Sequence, residues 1–112
     1  MLVVEAVHAL TRREVAATVN AVATEIGIDQ SGASRLVKSA TEAGYLTMQA
    51  PDRDGRQRRA TLTASGRTML DQAHDWQERV FDQLTEGWSE QRRRDFQQAM
   101  TELIDRSYAL DP

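Results

Sequence analysis

The chain has no cysteine, which removes disulfides, thiol redox sensing and cysteine-ligated zinc fingers together. Its two histidines, His8 and His74, are too far apart in sequence to make a metal-site spacing. No apolar run approaches the roughly 18 residues that a membrane span needs. The most apolar stretch, MLVVEAVHAL at the start, is too short and is interrupted by Glu5 and His8. It also lacks the basic start and small-residue cleavage site of a signal peptide. Repeats and low-complexity segments are missing as well. No nucleophile–base constellation, Gly-rich phosphate loop or metal cluster is visible, so an enzyme is the least supported class. No cofactor, metal or membrane partner is expected. What these absences leave is a cytoplasmic, non-enzymatic protein of 112 residues, enough chain for one hydrophobic core.

What is present is charge, unevenly placed. The net charge is −3. Residues 1–27 hold two arginines against three acids, and residues 68–112 hold five against ten. Residues 28–67 reverse the sign, with seven Lys/Arg (Arg35, Lys38, Arg53, Arg56, Arg58, Arg59, Arg67) against four acids. A basic middle in an acidic chain suggests a polyanion partner for the middle.

Periodicity then gives the elements. Val3, Val4, Val7 and Leu10 recur at helical intervals and predict a first helix over about 2–10. Thr11 and Glu14 have capping-box spacing, yet residues 15–18 also suit a short extended segment. Thr18 suits the N-cap of a helix over 19–26, and Gly27 its left-handed end. Asp29 suits the cap of a helix from Gln30 to about Ala43, with Ala33, Leu36, Val37 and Ala40 on its apolar face, and Gly44 stops it. Residues 46–50 and 60–63 alternate apolar and polar side chains and predict a β-hairpin, with Pro51, the aspartates and Gly55 as turn chemistry. Thr63 or Ser65 can cap a helix to about Thr85. Its stripe is Met69, Leu70, Ala73, Trp76, Val80, Phe81 and Leu84. Gly87 breaks it, and Ser89 caps a last helix to about Tyr108 with Phe96, Met100, Leu103, Ile104 and Tyr108 in a row.

Helix, glycine turn, helix is the arrangement of a helix-turn-helix. In a window from Val19, Ala23 falls where two helices pack closest and Gly27 falls in the turn. Val22, Ile26, Ile28, Ala33 and Leu36 fall at positions that must be apolar. The second helix then exposes Gln30, Ser31, Gly32, Ser34, Arg35 and Lys38. Gln, Ser, Arg and Lys hydrogen-bond base edges and phosphates, and a small residue at Gly32 would let the helix approach a surface closely. Ser31, Ser34, Arg35 and Lys38 are also what a solvated face carries. The hairpin that follows favours the nucleic-acid reading. Its loop, DRDGRQRR, places Arg53, Arg56, Arg58 and Arg59 beside the recognition helix as a wing, and an arginine at a wing tip fits the narrow minor groove.

GIDQSGASRLVKSATEAGYL followed by DRDGRQRRATLTASGRTML resembles the MarR family of bacterial winged-helix transcription regulators. Ala23, Gly27, Glu42, Gly44, Leu46, Asp54, Arg56, Leu62, Thr63 and Gly66 occupy the positions of its pattern, which ends in a D-x-R wing and an L-T-x-x-G entry to the next helix. The resemblance implies a mainly α fold with a small β-hairpin (α+β), a winged helix-turn-helix with C-terminal dimerisation helices. It implies residues 1–66 as the DNA-binding domain (helix-turn-helix 18–43, wing 46–63) and 67–112 as the dimerisation helices. It implies a homodimer on a pseudo-palindromic operator in double-stranded DNA, usually as a repressor, and a small aromatic ligand of the sort many relatives bind. DNA contacts carry to Gln30, Ser31, Ser34 and Arg35, with Lys38 and Asn20 on phosphates. Asp54 and Arg56 take the wing-tip roles, and Arg53 and Arg58 or Arg59 steer toward phosphates. Members usually have one more helix before the equivalent of 2–10. Either the chain is naturally short there, or its start lies upstream, or a segment is missing. The alternative reading is a winged-helix module that binds a protein partner through its acidic half.

Overall fold

The computed structural model describes residues 1–50 and 58–110. Its elements are α1 (Leu2–Arg12), α2 (Val19–Ile26), α3 (Gln30–Glu42), β1 (Leu46–Gln49), β2 (Arg59–Leu62), α4 (Ala64–Leu84) and α5 (Glu90–Ser107). They form two compact units, residues 1–75 and 76–112, and α4 runs through both.

Local chemistry sets the boundaries in the first unit. The Thr18 hydroxyl accepts from the Ala21 N–H at 3.1 Å and starts α2. Gly27 ends it at φ +86°, a left-handed conformation that costs glycine least, and the N–H groups of Gly27 and Ile28 both return to the Ala23 carbonyl. The Asp29 carboxylate accepts from the Gly32 N–H at 2.8 Å and starts α3. A Cβ on Gly32 would stand 2.8 Å from that same carboxylate oxygen. The small residue therefore already has a use inside the chain, in leaving room for the cap. Of the two readings left open for this stretch, the capping box at Thr11 and Glu14 does not form. Thr11 continues α1, its hydroxyl donating to the Val7 carbonyl, and Glu14 turns the chain at φ +59°. Residues 15–18 lie outside helix and strand, and the Ala17 carbonyl accepts from the Ala60 N–H of β2.

Packing follows the apolar stripes. Val3, Val4, Ala6, Val7 and Leu10 of α1 join Val22 and Ala23 of α2, Ala33, Val37 and Ala40 of α3, Leu46, Ala60 and Leu70 in one buried cluster. Two residues expected there are not in it. Ile28 is 38 % exposed and Leu36 37 %. Leu36 precedes Val37 and so points about 100° away from it around α3, at the margin of the packed face.

The hairpin is antiparallel, with Leu46 opposite Leu62 and Gln49 opposite Arg59. Its junction with α4 depends on Thr63. The Thr63 N–H donates to the Tyr45 carbonyl at 3.1 Å. Its hydroxyl donates to the Gly44 carbonyl at 2.5 Å and accepts from the Gly66 N–H at 3.0 Å. Thr63, not Ser65, is thus the cap of α4. Gly66 is buried so tightly that a Cβ there would stand 2.2 Å from the Tyr45 carbonyl oxygen. The threonine and glycine of L-T-x-x-G therefore join the turn after α3 to the start of α4 through one hydrogen-bonded junction.

The second unit packs a different way. Ser89 caps α5, accepting from the Arg92 N–H. Phe81 stacks on Phe96 with centroids 5.9 Å apart, and Trp88 meets Phe96 edge-on at 6.0 Å. The Arg93 guanidinium donates to buried Thr85 and to Asp82, and Arg92 lies 4.0 Å over the Trp88 ring. Much of the apolar stripes expected here is uncovered, although Val80 and Phe81 are half-buried. Trp76, Leu84, Phe96, Met100, Leu103, Ile104 and Tyr108 are all exposed.

Candidate nucleic-acid interface

The face of α3 opposite its buried side is set by helical geometry. Ala33, Val37 and Ala40 point inward, so Ser31, Arg35 and Lys38, spaced i, i+4, i+7, share the outward face. Gln30 and Ser34 flank them. All five are exposed, and among the described residues none makes a side-chain hydrogen bond or ion pair. The first turn of α3 carries no acidic side chain inside the helix; its one carboxylate nearby, Asp29, is spent on the cap. Three donors on one rigid helix, free of internal partners, can bond the acceptors of a polyanion without first breaking contacts.

Asn20 is exposed in the first turn of α2, beside that helix's unpaired N–H groups. Arg58 is exposed just before β2. Arg53, Asp54 and Arg56 lie outside the described residues. The outer face of the hairpin carries Thr47 and Thr61, whose hydroxyls bond at 2.9 Å. Arg59 is exposed at the start of β2.

One group that sequence spacing set aside is assembled by the fold. His8 and His74 lie with ring centroids 6.0 Å apart, and His74 Nε2 bonds Glu5 Oε1 at 2.8 Å. Burial, then the guanidiniums of Arg67 and Arg12, hold His8 below the ordinary histidine range, with His74 adding to the shift and Glu5 opposing it. The only sequence signal was Glu5 and His8 at i, i+3 on α1. Among the described residues no group of His, Asp and Glu is placed to hold a metal ion, and no helix is long and apolar enough to cross a membrane.

With this geometry, the comparisons are specific. The model of the MarR family matches residues 3–57, the helix-turn-helix and the start of the wing. This winged domain belongs to the MarR family. Solved MarR-family structures share the fold over nearly the whole chain. A MarR family protein from Bacillus stearothermophilus is 18 % identical with a TM-score of 0.73, over 96 % of this chain and 73 % of its own. A MarR transcriptional regulator from Methanosarcina mazei Go1 is 17 % identical with a TM-score of 0.71, over 96 % and 77 %. A MarR/EmrR family regulator from Acinetobacter sp. ADP1 is 21 % identical with a TM-score of 0.61, over 98 % and 77 %. No curated protein matches in sequence. The architecture is therefore a MarR-type winged helix: mainly α, with one two-stranded antiparallel wing hairpin between α3 and α4 among the described residues.

Proposed function

We propose that this MarR-family chain is a sequence-specific DNA-binding transcription regulator that acts as a homodimer on a pseudo-palindromic operator. The observation that carries the reading is the outward face of α3. Ser31, Arg35 and Lys38 project from a helix held rigidly by Ala33, Val37 and Ala40, with no internal partners to release. In this reading Arg35 and the residues at the helix start, Gln30, Ser31 and Ser34, meet base edges in the major groove. Lys38, Asn20, Arg53 and Arg58 hold phosphates, and Arg56, braced by Asp54, enters the minor groove.

The exposed apolar side chains of α4 and α5 support the dimer. Soluble monomers rarely leave a contiguous row of this kind uncovered, and a second copy of the same helices supplies a matching surface. Two-fold pairing would place two recognition helices on half-sites about one DNA turn apart, roughly 34 Å. Repression, and its relief by a small aromatic ligand, complete the reading.

The test is selection from random duplexes. The expected product is a palindromic site, bound by the wild type and weakened by Arg35→Ala and by Arg56→Ala. A chain that selects no sequence, yet retains a protein partner after DNase treatment, contradicts the proposal and leaves the acidic half as a docking module.

A further inference from the structure

The cluster of Glu5, His8 and His74 is not used by the DNA-binding face. It joins α1 to α4, elements that meet only because the chain folds back between two residues 69 positions apart. We propose that it is an acid-opened clasp: neutral pH keeps α1 and α4 fastened, and a proton on the His8 ring releases them.

The charges around it give the direction. From α1 come Glu5, His8 and Arg12; from α4 come Arg67 and His74. Asp71 and Glu78 flank His74 one turn away on α4, and both are exposed. Glu5 is the one carboxylate bonded to either ring among the described residues. Neither Arg12 nor Arg67 has an acidic partner there. With His74 carrying one proton, the 2.8 Å contact is a hydrogen bond. With two, it is an ion pair, still closed. A proton on His8 changes the balance. The His8 cation then faces the guanidiniums of Arg67 and Arg12 and the His74 ring, 6.0 Å away, with Glu5 alone opposing them. The His74 and Glu5 side chains are 41 % and 35 % exposed, so water screens the repulsion and its effect is moderate. The His8 ring takes its proton from solvent, forming one N–H bond, and no other bond changes.

The clasp sits on the same helix whose first turn holds the Thr63–Gly66 junction with the recognition helix and wing. Resting on the DNA-binding reading above, release of α4 from α1 lowers DNA affinity at acid pH.

Amide hydrogen exchange of the full chain, corrected for intrinsic rates, tests this at pH 7.5 and 5.5. In the wild type, α1 and the first half of α4 should exchange about tenfold faster at the lower pH, a change of about 1.4 kcal/mol in opening free energy. His8→Gln should stay protected at both pH values, and His8→Lys should be open at both. Equal wild-type protection at the two pH values, or unchanged acid opening in His8→Gln, overturns the clasp. Imidazole titration by NMR of the wild type gives a second reading that needs no variant. The α1 and α4 amide shifts should move with the His8 midpoint, and amides that ignore it overturn the proposal. DNA binding separates the two readings. Acid opening without DNA affinity at any pH leaves the clasp standing and removes the DNA-binding reading; DNA binding without acid opening does the reverse.

Discussion

Replacing Gly66 by alanine sets two effects against each other, and the structure decides between them. Alanine is the better helix former by about 1 kcal/mol in a helix interior, so propensity alone predicts a more stable protein. The contacts predict the opposite. A Cβ at 66 would stand 2.2 Å from the Tyr45 carbonyl oxygen, 3.1 Å from its carbon and 3.3 Å from Leu62 Cδ2. The nearest atom is backbone, held by the Thr63 N–H at 3.1 Å, so it cannot swing aside as a side chain would. Relief needs a shift of about an ångström between α4 and the turn after α3. Overpacking of that kind costs roughly 1–3 kcal/mol. The shift also pulls the Gly66 N–H from the Thr63 hydroxyl, and loss of a helix cap costs about 1 kcal/mol. Gly66 lies in the first turn of α4, where the propensity gain is smaller than in the interior. The net expectation is a loss of roughly 2–3 kcal/mol. At roughly 4–8 °C per kcal/mol for a domain of this size, the midpoint of thermal unfolding should fall by about 8–24 °C. Circular dichroism melts of Gly66→Ala beside Ser65→Ala, an exposed neighbour in the same turn, measure it. A Gly66→Ala protein as stable as the wild type, or more stable, would refute the reasoning.

Other changes probe separate parts of the account. Thr63→Val keeps the shape but removes the hydroxyl that serves both Gly44 and Gly66; urea unfolding should show a loss of about 1–2 kcal/mol. Leu70 is fully buried and Leu36 is 37 % exposed, so Leu70→Ala should cost about 2–5 kcal/mol and Leu36→Ala markedly less by the same assay. His8 has its folded-state pKa below the ordinary value of about 6.5, so the unfolded chain binds more protons between the two values. Stability should therefore be full above about pH 6.5 and fall as pH drops toward the lowered folded value, and His8→Gln should flatten that part of the profile. Leu103 and Ile104 are 62 % and 48 % exposed, so changing both to serine should leave the circular dichroism spectrum of the first unit intact. If they serve a second copy, sedimentation should show the dimer weakened.

The parts legible in the sequence were those decided within a few residues. Thr18, Asp29 and Ser89 cap helices because a hydroxyl or carboxylate there reaches an N–H three positions on, and all three do so. Gly27 and Gly44 end helices where φ must be positive. The alternation in β1 and β2 gave the hairpin, with strand ends one residue from expectation. Distance along the chain hid the rest. Leu36 sits on the apolar side of its helix by period, but exposure at the margin depends on what packs there. The histidines looked unrelated because only the fold brings His74 of α4 against Glu5 and His8 of α1. The rows on α4 and α5 were read correctly as apolar, yet an apolar stripe is the same whether its cover is in the chain or on another copy. Gly32 looked suited to close approach by a partner, and its nearest atom proved to be the cap of its own helix.

The central claim is that the outward face of α3 binds DNA by charge and by base contacts together. Fluorescence anisotropy on the selected duplex, over a series of salt concentrations, tests it most directly. For the wild type, log affinity should fall steeply and linearly with log salt. Lys38→Ala should weaken all duplexes alike and lower the slope by about 0.9, one phosphate contact. Arg35→Ala should instead lower the preference for the selected sequence over a scrambled one by about 1–3 kcal/mol. Binding that ignores salt, or that is untouched by both changes, would contradict the account.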